Sequence, residues 1–598
     1  MYILPKYTEE INDTIAIVSE TEIESENKDM QSIFLKKTRN RENGLTCIKI
    51  EIMFGIPDVY IKSDSKLLHK EAFVIKFGAC TKIYANSKLA ANYAISFINE
   101  NVDNLNFSLV YDYPSFDMRA YKCFIPPRET LKETLKNLCD LLIELRYNIL
   151  ILEVGGAMEY KKRPEINTSW ETLCSDVKQY SGKGDDIALG KLYPWPKNVI
   201  HVDNGGGSFV SQKELKECIE YCKKRGIDVI PEVPSLSHCD YIVKTYPEIR
   251  ERKEDMDYPD SYCPGNPKTY EILFDILDEV YEIFEPEYVN IGHDELFSIA
   301  LCDRCRDEDP CKIFVADVIK IKNYLSEKNV KIMMWADMLS NARPGHGGAG
   351  RSVCGDQQYV PALYKIRDML PKDILMIDWW YNMDECHINV LEEKGFSVLF
   401  GNLEMYKFKK WFRLKKECVK GGVTSNWGSL NREYMQRNGQ YMRLMFNSFV
   451  LWGGYLAEDK KDEVLNKVME YAYNFYSKEK YDNVIEFVAA TDFYMERKTF
   501  WDGNFINPDE YIMGQIRVLL KDGRIYDYPV NYGINIVCEK CDDYDNILTL
   551  CTSAMPINQQ GRVSFRFCFP SNYSKDEIID TEFIRSKQDN FKFSYKIV

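Results

Sequence analysis

From about residue 118 the chain repeats one unit: a short apolar run, a polar loop, and a segment with apolar residues at i, i+3 and i+4. The runs are "MRAYKCF" (118–124), "NILILEV" (148–154), "DVIPEV" (228–233), "EYVNIG" (287–292), "VKIMMWA" (330–336), "ILMIDWW" (374–380), "FSVLFGN" (396–402) and "GGVTSNW" (421–427). Segments such as 128–146, 211–226 and 266–284 carry the helical spacing. Parallel strands covered on both faces read as unbroken apolar runs, so eight such β–α units predict an α/β fold, a (β/α)8 TIM barrel. Upstream, "LTCIKIEIMF", "EAFVIKFG" and "TKIYAN" alternate like strands around one helical segment, "SKLAANYAISFINE". The predicted domains are a small N-terminal α+β domain (1–115), the barrel (116–455), a helical segment (456–512) and a C-terminal β-rich domain (513–598).

Composition narrows the function classes. No stretch approaches the roughly 20 apolar residues of a membrane span, and the first residues, "MYILPKYTEE", lack the apolar block of a secretory signal. The expectation is a cytoplasmic protein with no membrane partner, whose 19 cysteines are free thiols. A net charge of −15 argues against nucleic acid and for a neutral or cationic ligand.

In a barrel the chemistry gathers at the C-terminal ends of strands. The fourth run ends "YVNIGHDELF" (288–297), placing Asp294 beside Glu295. Consecutive strand residues face opposite ways, so the two share a pocket only if the backbone leaves the strand, and Gly292 makes that turn feasible. Once together, repulsion and burial separate their pKa values, giving one site a proton donor and an anion. The alternative is that Asp294 caps the next helix. The fifth, sixth and eighth runs end in Trp335, Trp379 with Trp380, and Trp427, ring faces suited to sugar C–H groups or a methyl.

These residues resemble family 20 glycoside hydrolases, the β-N-acetylhexosaminidases. The resemblance rests on "NIGHDEL" (290–296), "RGIDVIPEVPSLSH" (225–238) and "CPGNPKTYEILFDILDEVYEIF" (263–284) and covers the barrel. It implies an exo-acting hydrolase of terminal β-linked GlcNAc or GalNAc on a glycan or glycoconjugate. Catalysis would be substrate-assisted and retaining: the sugar's acetamido oxygen attacks its own C1 to give an oxazolinium. Glu295 would be the acid/base and Asp294 the acceptor orienting the acetamido N–H. Trp335, Trp379 or Trp380, and Trp427 would box the acetamido methyl. Arg119 would hold outer hydroxyls, as an arginine fork is suited to do. His238 matches the histidine after the third strand, and His293 either bonds Glu295 or fills space. Near the seventh strand Glu404 fits the expected acid, whereas Tyr406 lies two residues late for a tyrosine and Asn402 stands at its place. No cofactor and no metal are implied.

The sequence departs from the family pattern after the second run, "LEVGGAMEYKK", where only Glu153 and Glu159 are acidic, and after Trp427, where Ser429 replaces an acid and Glu433 comes later. Two alternatives therefore stand: a retaining β-glycosidase with Glu153 or Glu404 as nucleophile, and a non-catalytic sugar-binding barrel. Cys302-x2-Cys305 with Cys311 has zinc-like spacing but no evident fourth ligand. A second loose set, Cys538, Cys541, Cys551 and Cys568, reads as buried thiols.

Overall fold

The structure is a computed structural model that describes residues 5–10, 23–24, 49–78, 80–101, 107–180, 199–252, 261–296, 298–342, 351–352, 359–407, 411–432, 435, 439–455, 457–478, 481–494, 512–540, 553–559, 562–586 and 590–598. Glu433, Cys541 and Cys551 lie outside them.

All eight apolar runs are strands of one closed parallel barrel. In chain order they are β1 (Met118–Phe124), β2 (Ile149–Glu153), β3 (Asp228–Ser235), β4 (Tyr288–Gly292), β5 (Lys331–Trp335), β6 (Leu375–Asp378), β7 (Ser397–Phe400) and β8 (Val419–Ser425). Around them lie α1 (Leu131–Glu144), α2 (Pro164–Tyr180), α3 (Gln212–Lys224), α4 (Pro267–Phe284), α5 (Pro310–Ser326), α6 (His387–Glu393) and α7 (Gln440–Gly453). The repeat is less regular than predicted. Among the described residues the crossing after β5 holds a 3-10 turn, a two-stranded ribbon and, as its α-helix, the short Ile366–Met369, and 3-10 turns follow β7.

A six-stranded N-terminal sheet, backed by the helix Lys88–Glu100, packs on the barrel's N-terminal end. Its helix starts where the Ser87 hydroxyl accepts the Ala90 N–H, and almost all its length is buried. Trp452 of α7 donates to Asp112 of this sheet at 2.7 Å, and Asn92 donates to the Arg225 carbonyl at 3.1 Å. Arg119 is part of this seam. It is the second residue of β1, at the end opposite the strand C-termini, and 1% exposed. Its guanidinium donates to Glu71, to the Tyr93 hydroxyl (3.1 Å) and to the carbonyls of Arg146 (2.6 Å) and Phe116 (2.8 Å). Arg119 therefore cannot hold a sugar at the mouth; it locks the N-terminal domain to the barrel.

Downstream, the helix Lys461–Tyr473 is followed by Val484–Thr491, a strand inside the segment expected to be helical. Its burial alternates at every residue, the half-buried strand signature that overrides helical propensity. It joins a four-stranded sheet that, with a three-stranded one, encloses a separate apolar core containing Phe487, Ile516, Val518, Phe565 and Phe567. No described helix is long and apolar enough to cross a membrane.

Candidate active site

The barrel interior is filled by Ala120, Ile149, Ile151, Ile230, Met333, Leu375, Ile377, Leu399 and Val423. Side chains two residues further along a strand point the same way, so the next layer toward the mouth is Lys122, Glu153, Glu232 and Trp335. That layer is charged. Lys122 and Glu153 pair at 2.7 Å, both essentially inaccessible, and the Trp335 indole N–H donates to Glu232 at 3.1 Å. Burial pushes the Glu232 carboxyl up to about 7; Lys122 opposes this, and the charges of Glu153 and Asp294 reinforce it.

Above this floor β4 gives out through four residues of which three are left-handed: Gly292 (φ +73°), His293 (φ +68°) and Glu295 (φ +48°). Non-glycine residues seldom adopt that conformation. It is what brings consecutive carboxylates to one side. A Cβ on Gly292 would lie 3.2 Å from Pro234 Cα, so β3 and β4 approach closely there. The Glu295 N–H donates to Asp337 beyond β5 (2.9 Å), and the Ser237 hydroxyl donates to the Asp294 carbonyl. His238, itself left-handed (φ +51°), places Nε2 3.5 Å from an Asp294 oxygen and 3.7 Å from a Glu295 oxygen. The Asp294 side chain is 12% exposed and that of Glu295 35%, so the second faces incoming solvent. Asp294 does not cap the following helix; Asp309 does.

His293 turns away from the pair. Fully buried, it bonds Asp317 of α5 at 2.9 Å through Nε2 and packs edge-on against Phe314. Tyr262 and Tyr270 donate to the same Asp317 carboxylate. Substrate contact by His293 is thus overturned: the left-handed backbone that aims Asp294 inward sends His293 into the strand–helix layer.

Of the tryptophans, Trp335, Trp379 and Trp427 pack in the interior cluster, whereas Trp380 begins a 3-10 turn, its N–H held by Asp378. Trp379, not Trp380, is the inward member of the pair. Gly401 leaves room for the Trp335 ring, since a Cβ there would lie 2.7 Å from it. Trp335 and Trp427 rings are 5.6 Å apart; Lys122 Nζ sits 3.3 Å over the Trp427 ring, and the Trp427 N–H donates to Asn402 at 2.9 Å. Glu404 is paired with Arg443 (2.7 Å) and Lys407 (2.6 Å). Burial alone would raise its pKa, but those two cations hold it below the ordinary carboxylate value. Tyr406, 3% exposed, packs against Phe446 in the outer core, its hydroxyl 3.4 Å from Glu404 and 3.3 Å from Arg443. Its hydroxyl thus stands between Glu404 and Arg443.

The profile of "Glycosyl hydrolase family 20, catalytic domain" matches residues 131–439. The chain belongs to glycosyl hydrolase family 20. Among curated relatives of this family 20 chain, a beta-hexosaminidase of Vibrio furnissii is 26% identical over 200 residues, 31% of this chain and 30% of the relative. One from Emericella nidulans is 23% identical over 303 residues, 43% and 44% of the two chains. The aligned part thus spans less than half the length of these relatives. The solved beta-N-acetylhexosaminidase of Bacteroides fragilis shares the fold at TM-score 0.55 and 16% identity, over 79% of this chain and 95% of that one. The Vibrio harveyi exo beta-N-acetylglucosaminidase in complex with N-acetylglucosamine gives TM-score 0.55 and 15% identity, over 79% and 77%.

The family 20 match begins after β1, the strand that carries both Arg119 and Lys122. Sequence reasoning passed over Lys122, Glu232, Ser237 and Asp337. A signal existed for the first two. A charged residue inside an apolar run of a barrel strand must face the interior or an ion partner, and "MRAYKCF", "NILILEV" and "DVIPEV" carry Lys122, Glu153 and Glu232 in that setting. The Ser237 and Asp337 side chains act on the backbone of Asp294 and Glu295, a contact that leaves no pattern in sequence.

Proposed function

We propose that this family 20 protein is an exo-acting β-N-acetylhexosaminidase that removes terminal β-linked GlcNAc or GalNAc by substrate-assisted retaining catalysis. The acetamido oxygen of the sugar forms a bond to C1 as the glycosidic C1–O bond breaks. Glu295, the more exposed carboxyl, gives its proton to the leaving oxygen and then takes one from the water that opens the oxazolinium. Asp294, more enclosed and against His238, accepts the acetamido N–H and stabilises the positive charge. Trp335, Trp379 and Trp427 supply the apolar wall for the methyl.

The observation that carries this reading is the state of the other carboxylates. Glu153 is tied to Lys122 and Glu404 to Arg443 and Lys407, so neither candidate nucleophile of the alternative mechanism stands free to attack C1. With those two engaged, and Asp294 set beside Glu295 against His238, the substrate's own amide is the nucleophile this site favours. We also propose a reducing compartment as the site of action, supported by the described cysteines all being free thiols.

The test is release of p-nitrophenol from β-GlcNAc, β-GalNAc and β-glucose glycosides, with and without a thiazoline mimic of the oxazolinium. Turnover restricted to the two acetamido sugars and blocked by the thiazoline is expected. Equal turnover of the glucoside would favour an enzymic nucleophile, and binding without turnover of any substrate would favour a sugar-binding barrel.

A further inference from the structure

The loops that follow β3 and β4 meet at a second cluster, outside the proposed active site. Cys302 and Cys305 form a tight turn in which the Cys305 and Arg306 N–H groups both donate to the Cys302 carbonyl (3.0 and 2.9 Å). Facing it is a second turn, Cys263-Pro264-Gly265-Asn266, closed by the Asn266 N–H on the Cys263 carbonyl (3.1 Å). Cys263 Sγ lies 3.2 Å from Cys302 Sγ and 3.4 Å from Cys305 Sγ, well beyond a disulfide bond. Gly265 lies directly over the sulfurs, where a Cβ would come within 2.7 Å of Cys305 Sγ.

Glu251 completes the group. One of its oxygens and the three sulfurs all lie within 4.8 Å of one another, and all four residues are buried. Oε1 accepts the N–H groups of Leu301 (2.7 Å) and Cys302 (3.3 Å), and the Cys263 and Cys302 thiols face the same carboxylate. Three thiols alone would pass for small apolar side chains. A fully buried carboxylate aimed at them would not, because a charge removed from water needs hydrogen bonds, a proton or a cation beside it, and the three sulfurs are the donors a soft cation would share with it.

From this geometry we propose that Cys263, Cys302, Cys305 and Glu251 bind one zinc ion. The donor set is three soft sulfurs and one oxygen, the ligand number is the four of a closed structural site, and a tetrahedral Zn–S distance of about 2.3 Å places sulfurs about 3.8 Å apart, a small outward shift from those seen. On binding, each thiol loses its proton to solvent and the ion joins the loop after β3 to the loop after β4, within ten residues of Glu295. Cys311, on α5, is not a ligand; its sulfur faces the Ala362 carbonyl at 3.9 Å.

Elemental analysis of the full chain, purified under reducing conditions from zinc-supplemented cells, is expected to give one zinc per chain. Replacement by cobalt is expected to produce an intense near-ultraviolet sulfur-to-cobalt band with tetrahedral d–d absorption. Cys305→Ser is expected to lose the metal and Cys311→Ser to keep it, so a general folding defect is told apart from loss of a ligand. Zinc-free protein with no cobalt spectrum, equal zinc content in Cys305→Ser, or a Cys263–Cys302 disulfide in the non-reduced peptide map would each overturn the proposal. None of these readouts depends on hydrolytic activity.

Discussion

The two ends of the barrel both bury charge, and they do so in opposite ways. At the N-terminal end Arg119 reaches Glu71, Tyr93 and two carbonyls, while Asn148 donates to the other Glu71 oxygen at 2.9 Å; donors and acceptors are matched inside the protein. At the C-terminal end the backbone is left-handed at three of four successive residues, and His238 stays 3.5 Å or more from the carboxylates it approaches. Charges satisfied by the fold hold domains together. Two carboxylates set side by side on left-handed backbone at the mouth, beside a histidine and open to solvent, are placed for a ligand. The contrast explains why an arginine that fits a sugar-binding role by residue type serves as a domain lock instead.

The largest effect that sharpens this contrast is expected from Glu295→Gln. Loss of a general acid is worth about 10²–10⁴ in rate, so hydrolysis of substrates with poor leaving groups should fall by that factor while the thermal midpoint stays within a degree or two. An unchanged rate would remove Glu295 from the mechanism. At the other end, Arg119→Met leaves Glu71 buried without its cation, a loss of about 3–5 kcal/mol. Denaturant melts should show it, with kcat/KM per folded molecule unchanged; a selective loss of activity instead would return Arg119 to the sugar.

Asp294→Asn should lower kcat by about 100-fold or more, the usual worth of one transition-state hydrogen-bonding group. A near-normal kcat would mean the carboxylate only shapes the turn. The smallest effect concerns the charged floor. Glu232 keeps its proton to a higher pH in the fold, about 7, than at its ordinary value of 4.5. The folded state then binds more protons across that window, so this group's contribution makes stability fall as pH rises through it. Glu232→Gln should flatten the decline in thermal midpoint between those two pH values, and an identical slope in both proteins would place the pKa elsewhere.

The barrel was legible because its strands announce themselves: eight apolar runs, each within a few residues of the observed strand, set the frame on which Asp294, Glu295, His238 and the tryptophans could be placed. Three things were not legible, for physical reasons. Which face a residue takes after a strand ends depends on φ, and sequence does not report the sign of φ at His293. Arg119 was misread because a strand's first and last residues look alike in a run, though they lie at opposite ends of the barrel. Val484–Thr491 was hidden by neighbouring helices, its alternation being paid out against a sheet whose other strands lie up to about 110 residues later. Conversely, the fold brings Cys263 and Glu251 beside Cys302 and Cys305, a convergence that the Cys302-x2-Cys305 spacing does not show.

The central claim is that the sugar carries its own nucleophile, and substitution on that nucleophile tests it most directly. We expect p-nitrophenyl β-glycosides bearing N-acetyl, N-fluoroacetyl, N-difluoroacetyl and N-trifluoroacetyl groups to be hydrolysed progressively more slowly, since each fluorine withdraws electron density from the attacking oxygen. A rate indifferent to fluorination, together with a glycosyl ester trapped on an aspartate or glutamate, would contradict it.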